Sequence, residues 1–495
     1  MPTSTPSSDL AAWEARAREF LKEAFVAEDR DGLSVRALYG PPDDRPVPDP
    51  FVPPYLRGFE AGGAGAATAF SYRDPSAAGL AEALAADAPM GLDAAWIAVD
   101  PHLAAGAPAP AGRGPLAVGF VPPKAPPAPP AAASDTPLCL HAGAAAAALL
   151  GDGWADRYEV WADPVLACLV AGRVPREPGR IFHRIERARE RAGDPAGFGY
   201  RVDGAAFAEA GATPAVELAA TVAAAIETVE GARAAAPDRA VRLDVCISAG
   251  TVVLDEVAKV RALRRMLAAV FEPGAGAPVR IRLQARMSRR ALCVADIWTN
   301  LLRGTMSALA GLLGGASAVG VEALDAAVGL PGPTGRRLAR NTVTIVREET
   351  GLGRLVDPLA GGYALEARTE ALLRAGWARL RAVAEAGGLL AHARSGALHE
   401  ILVASRAAER AAVEAGRRPI VGVTMHPDPS LAPPADAVSL DDGLRAPANG
   451  PAARALRARV EDDLGPCDPI EPLAPVRLAA AFETQRALAA EEGRA

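Results

Sequence analysis

Cysteine is scarce and never paired: the five residues stand at 139, 168, 246, 293 and 467, with no CxxC among them. That spacing excludes a disulfide framework and indicates no thiolate zinc site. Lysine is scarcer still, at positions 22, 124 and 259, so nearly all positive charge is arginine. With a formal net charge of -6 and no basic stripe, sequence-independent nucleic-acid binding is not expected. The six histidines are scattered away from carboxylate clusters, which points to no metal site. No window approaches the ~18 uninterrupted apolar residues of a membrane span. The start, Met1 to Ser8, has neither a basic region nor an apolar one after it, so no secretory signal is expected. The expectation is a soluble cytoplasmic protein without membrane contact.

What is present is an ordinary globular composition. The chain has 495 residues, 50% hydrophobic and 23% charged, which is too apolar for a mostly disordered chain. Alanine supplies roughly a quarter of it, well above common usage. Ser8-Asp9 opens a run in which Leu10, Trp13, Ala17, Phe20, Leu21 and Ala24 share one helical face. A strand-like stretch follows at Gly32–Tyr39, then a proline-rich connection through Pro54. From about residue 76 the pattern alternates. Ala77–Ala86 reads as helix and Ala94–Val99 as buried strand, with further strands at Leu243–Ser248, Val279–Gln284, Ala318–Val321 and Ile420–Thr424. Helices are predicted at Pro214–Val229, Val253–Val270, Trp298–Leu313 and Glu366–Ala386. Residues 107–137, dense in proline and alanine, read as an extended linker or surface insertion. Strand and helix alternating over this length predict an α/β fold with a closed (β/α)8 TIM-type barrel. The expected division is an N-terminal arm and helix at 1–60, the barrel at 61–395, and a C-terminal helical and linker region at 396–495.

One stretch is distinctive: Gly329-Leu-Pro331, Ala339-Arg340-Asn341-Thr342, Arg347-Glu348-Glu349-Thr350, and Val356-Asp357-Pro-Leu-Ala-Gly361-Gly362-Tyr363 with Glu366 beyond it. Read by themselves, Arg340, Glu348, Glu349 and Asp357 are charges beside glycine and proline turns, where they fix loops and helix ends. Gly361-Gly362 marks a tight turn, since no phosphate-binding context surrounds it. The order and spacing of these blocks resemble the barrel of the methylmalonyl-CoA mutase family, whose members read close to ARNT, QEES and DPxGGSYxxE here. Glu209-Ala-Gly-Ala212, Gly314-Gly315, Asp325–Pro331, Glu385–Gly388 and Ile420–Val423 resemble further family blocks. The resemblance runs from about residue 30 to 430 and is strongest between 295 and 390.

That resemblance implies radical rearrangement of an acyl-CoA thioester, carried by adenosylcobalamin while protein binds and shields. The family's parts are a cobalamin domain with a DxHxxG loop, a barrel pore admitting the pantetheine arm, and a Tyr-His pair before the QEAGA-like motif. In this sequence Asp100-Pro-His102 leads to Gly106, one residue too late, and no cobalamin domain is expected after Thr424. Ala205 and Ala206 stand at the family's Tyr and His positions, and Gly320 replaces a further family histidine. Arg286-Met-Ser-Arg289 replaces the QTSG turn with two bulky cations. Methyl groups cannot donate to a thioester oxygen. The resemblance therefore implies a non-catalytic β-type subunit with no catalytic residue, metal or cofactor of its own. It would form a 1:1 heterodimer with a catalytic α subunit holding adenosylcobalamin and interconverting methylmalonyl-CoA and succinyl-CoA. Trp13 and Phe20 are candidate interface residues; side chains are expected to fill the barrel interior and leave no open CoA channel, with Ala, Val and Leu dominating the strands and Arg286 and Arg289 intruding near a strand end. Two other readings stay open: a catalytic chain working with a separate cobalamin-binding chain, and a module that protects cofactor.

Overall fold

Side chains on a β-strand alternate between its two faces, and in this chain the two faces carry different chemistry. The computed structural model describes residues 12, 14–19, 22, 26–37, 39, 40, 43, 66–110, 115–272, 277–352, 355–428, 434–439 and 446–484. Eight parallel strands close into a barrel: β1 Ala67–Tyr72, β2 Ala94–Ala98, β3 Leu138–His141, β4 Glu159–Ala162, β5 Phe198–Asp203, β6 Val241–Ala249, β7 Val279–Met287 and β8 Ala318–Gly320. The expected (β/α)8 architecture is the observed one. Pairing of β8 with β1, Ala318 opposite Ala67, closes the ring. The helices used below are α1 Ala77–Asp87, α2 Gly179–Arg191, α3 Ala205–Glu209, α4 Pro214–Ala235, α5 Val253–Phe271, α6 Thr299–Leu313, α7 Pro333–Glu348, α8 Tyr363–Glu385, α9 Ala397–Glu414 and α10 Pro451–Leu464.

On β6, Leu243, Val245 and Ile247 join the large apolar core under the helices. The intervening Arg242, Asp244 and Cys246 occupy the other face, toward the axis. The axis has a small apolar cluster of its own, built from Ala69, Trp96, Cys139, Trp161 and Ala318. Strands β3, β4 and β5 escaped the sequence reading because four to six residues with His, Glu, Trp or Arg among them do not look like buried strand, and β1 escaped it because Ala, Thr and Ser make up most of its six residues.

Two expectations are corrected. Ile420–Thr424 is a turn: the amides of Thr424 and Met425 both donate to Ile420 O, and its only strand-like feature is the bridge between Val421 and Met425. Gly422, at φ 79°, makes that reversal possible. Residues 107–137 are not simply a linker, because Val118 and Phe120 are buried and Phe120 N donates to Ala98 O beside β2. The ring of Phe120 meets Trp154 edge-on at 6.0 Å. The barrel axis is occupied by side chains, and those described below are mainly aromatic and polar.

The early segment is tied to the barrel through a short hairpin, Val26–Glu28 paired with Ser34–Arg36. Its turn is held by Asp29, which accepts from the amides of Asp31 and Leu33. Asp31 accepts from Ala215 N at 2.9 Å and so caps the first turn of α4. Arg30 donates to Ala212 O, and Asp29 pairs with Arg368 of α8. Residues 14–19 are helical. Trp13 and Phe20 lie outside the described residues.

Candidate functional site

Two indoles occupy the barrel axis. Trp96 projects from β2 and Trp161 from β4, each 1% exposed. Room for them comes from glycines on other strands. A Cβ added at Gly320 would approach the Trp96 ring to 2.5 Å, and one at Gly199 would approach the Trp161 ring to 2.2 Å. Around them runs a polar chain across three strands. Arg201 lies over Trp96 and donates to Gln284 at 2.6 Å; Gln284 donates to Asp244, which also takes both prongs of Arg282. The guanidinium groups of Arg242 and Arg282 cover the Trp161 ring at 5.1 and 4.9 Å. Aromatic rings, arginines and amides therefore fill the axis, because the alternation that sends Leu and Val to the helices leaves these residues inside.

The C-terminal ends of the strands, where barrels of this class carry their sites, are closed by charge. Arg286 bonds Asp203 at 3.1 Å and also Glu209 of α3. Arg289 bonds Glu322 at 2.7 Å, and Arg73, just beyond β1, takes the other oxygen of Glu322 at 2.8 Å. Three arginines meet three carboxylates, so the lattice is neutral within itself. Burial opposes ionisation of Glu322, but Arg289 and Arg73 outweigh it and hold the carboxyl down at about 2. For Asp203 burial is likewise overcome by Arg286 and Arg201, and its pKa falls. Burial lowers Arg73 to about 10 against the pull of Glu322. Beside the lattice, burial raises Asp163 to about 7, although the amides of Asp203 and Leu166 bond its oxygens. Burial, and then Arg201, push His141 well below its usual range. Over this end passes the chain near its C-terminus: Val476 N donates to Glu209 O and Leu478 N to Arg290 O.

Ala205 and Ala206 open α3 directly after β5, the first fully buried and the second half-buried, next to this lattice. They offer no donor to a ligand there. Asp100 is a helix cap that accepts from the amides of His102 and Leu103. The motif residues from 329 onward lie elsewhere. Arg340 sits inside α7 and pairs with Asp87 at the end of α1, where Tyr72 and Arg336 also bond. Asn341 is half-buried on the same helix, and Glu348 and Glu349 are exposed near its end. Asp357 and Glu366 together grip Arg261 of α5 at 2.8 and 2.7 Å. Gly361, at φ 78°, donates to Glu366, Gly362 precedes α8, and Tyr363 begins it. The structure gathers Asp357, Gly361 and Glu366 into one joint and leaves Ala205 and Ala206 far in chain and role from it. Sequence reasoning missed Arg73, Trp96, Trp161, Arg201, Asp203 and Glu322. A tryptophan in mid-strand with glycine on a nearby strand was the available signal. Among the described residues, no group of three His, Cys, Asp or Glu side chains is placed to hold a metal ion, and no helix is long and apolar enough to cross a membrane.

A sequence model of the family described as methylmalonyl-CoA mutase matches residues 200–462, more than half of the chain. A protein of Mycobacterium bovis named probable methylmalonyl-CoA mutase small subunit is 34% identical over 334 residues, covering 61% of this chain and 52% of its own length. A Streptomyces virginiae methylmalonyl-CoA mutase small subunit is 36% identical over 233 residues, 46% of this chain and 37% of its own. The Streptomyces virginiae protein named large subunit is 32% identical over 232 residues, 46% of this chain and 32% of its own. The chain thus spans about half, or less, of the length of the curated relatives it matches.

Proposed function

This chain belongs to the methylmalonyl-CoA mutase family, and on that premise we propose that it is the non-catalytic small subunit of a cytoplasmic mutase converting methylmalonyl-CoA to succinyl-CoA. The observation that carries the reading is the filled barrel. Trp96, Trp161 and Arg201 occupy the axis that a CoA arm would need, and the lattice of Arg73, Arg286 and Arg289 with Asp203, Glu209 and Glu322 closes the end where an acyl group would react. Ala205 and Ala206 add no polar atom there. Neither the thioester nor adenosylcobalamin fits these residues, so we assign the cofactor to a catalytic large subunit and derive no chemical step in this chain. Its role is to stabilise that subunit in a 1:1 complex. Arg340, Asn341, Glu348, Glu349, Asp357, Gly361, Gly362 and Tyr363 then serve the fold, and Trp13 and Phe20 contact the partner.

The filled axis disfavours the reading of a catalytic chain served by a separate cobalamin protein. The test is co-expression with the large subunit, native mass, and conversion of methylmalonyl-CoA with added adenosylcobalamin. A 1:1 complex that turns over, beside a lone chain that does not, supports the proposal. Turnover by the lone chain would overturn it.

A further inference from the structure

Outer helices of a barrel end their packing in charged residues, and most here obey. His183, Arg187, Glu190 and Arg191 stand exposed on α2, and Arg374, Arg379 and Arg381 on α8. The helix α6 departs from that rule. Trp298, just before it, and Leu302 and Met306 within it are 39%, 66% and 38% exposed and recur every four residues, so they form one stripe. The only charged residue of α6, Arg303, is turned aside: it donates to Thr299 Oγ1, Asn300 Oδ1 and Val421 O. That last bond holds exposed Val421 and Met425 beside the stripe. Each such side chain leaves on the order of 100 Å² to solvent, so the patch reaches the ~300–600 Å² upper range for free monomers. It is comparable to the apolar centre of an interface burying ~800 Å² per partner.

Beside α6 packs α7. Its exposed residues are Pro333, Thr334 and Arg337 near the start, Ile345, and Glu348 at the end, where Glu348 pairs with Arg347; exposed Glu349 follows the helix. Arg337 near one end and Glu348 at the other, on either side of exposed Ile345, are self-complementary in charge. Laid antiparallel on a helix of the same pattern, each Arg337 position meets a Glu348 position, which lies about three turns on along the same face. Such a contact is isologous, and it asks for a partner built on the same barrel. Both helices fall within residues 200–462, the part matched by the family model.

We propose that the outer face of α6, framed by α7, docks the large subunit of the mutase, through that subunit's own copy of the same helix pair and about a pseudo-two-fold axis. Trp298 is the anchor, Leu302 and Met306 fill the centre, and Arg337 and Glu348 set the register. The inference rests on the small-subunit reading above.

The experiment compares the full chain with the double variant Leu302→Glu, Met306→Glu, each paired with the large subunit by titration calorimetry and size exclusion. Both positions are solvent-facing, so the variant should unfold at the wild-type midpoint and lose at least about 100-fold in affinity, while Leu302→Met pairs normally. A variant that melts and pairs like wild type overturns the docking face and leaves the small-subunit reading standing. Hydrogen exchange on the unaltered chain gives a second measurement that needs no variant. Slower exchange in residues 298–309 on adding large subunit supports the face, and unchanged exchange there in a formed complex overturns it. If wild type ignores the large subunit and self-associates instead, the small-subunit reading fails and this occupant fails with it.

Discussion

Glu322 shows how one buried carboxylate can hold two cations. Arg73 has two further nitrogens that are buried without a hydrogen-bond partner, so its charge depends on Glu322. Replacing Glu322 by Gln strands Arg73 and Arg289, and breaking a buried ion pair in this way costs ~3–5 kcal/mol. The pH signature has a definite sign. A carboxyl ordinarily near 4.5 and held at about 2 in the folded chain contributes stability at neutral pH that is lost as pH falls from about 4.5 toward 2. Urea unfolding at pH 7 and pH 3 should therefore show a smaller difference between wild type and Glu322→Gln at the lower pH. Equal differences at both would contradict the account. At the barrel axis, Gly320→Ala drives a methyl group against Trp96, and overpacking of this kind costs ~1–3 kcal/mol. Its denaturation midpoint should fall, and the double variant Gly320→Ala, Trp96→Leu should recover part of the loss. Arginines at 286 and 289 were visible in the sequence. Their partners were not, because Asp203 and Glu209 lie about eighty residues away in the chain and only barrel closure brings them near.

Among the elements, helices were far easier to read than strands. Long alanine-rich runs such as α4 and α5 announce themselves, and their boundaries in the structure differ from expectation by a few residues. A strand with arginine inside and valine outside, such as Phe198–Asp203, carries no hydrophobic run to detect. The hairpin at 26–36 was partly legible as an extended stretch. That Asp31 reaches across to cap α4 was not, since the contact joins positions 184 residues apart. Loss of a capping side chain costs ~0.5–2 kcal/mol. Asp31→Ala should lower the melting temperature and expose the hairpin to limited proteolysis first, while Asp31→Asn, which keeps an acceptor, should lie between. Cleavage of the variant at the wild-type rate would show that the hairpin is held by its other contacts alone.

For the molecule as a whole, the order of strands and helices was enough to suggest a closed barrel, and the motif residues Arg340, Asp357 and Glu366 make ion pairs to Asp87 and Arg261 on its outer helices. That side chains occupy the axis was legible; which ones do so was not, because composition counts Ala, Val and Leu without saying which way they face. That content decides what the chain can hold. Calorimetric titration of the lone chain with methylmalonyl-CoA or CoA should give no saturable heat, whereas an open axis would bind either in a 1:1 ratio. Replacing both axial tryptophans by alanine would test the same point from the other side, if the variant folds and then retains a CoA thioester.

The placement of the indoles also gives the chain an optical signal of its own. Trp96, Trp154 and Trp161 are at most 1% exposed, whereas Trp298 stands open on the face of α6. Emission from the first three is shielded from a quencher such as acrylamide until the barrel itself opens, while Trp298 is quenched in the native state. With Trp13 and Trp377 replaced by Phe, collisional quenching separates two events in one unlabelled sample. Rising accessibility of the shielded rings reports loss of the barrel, and shielding of the open one reports arrival of a partner.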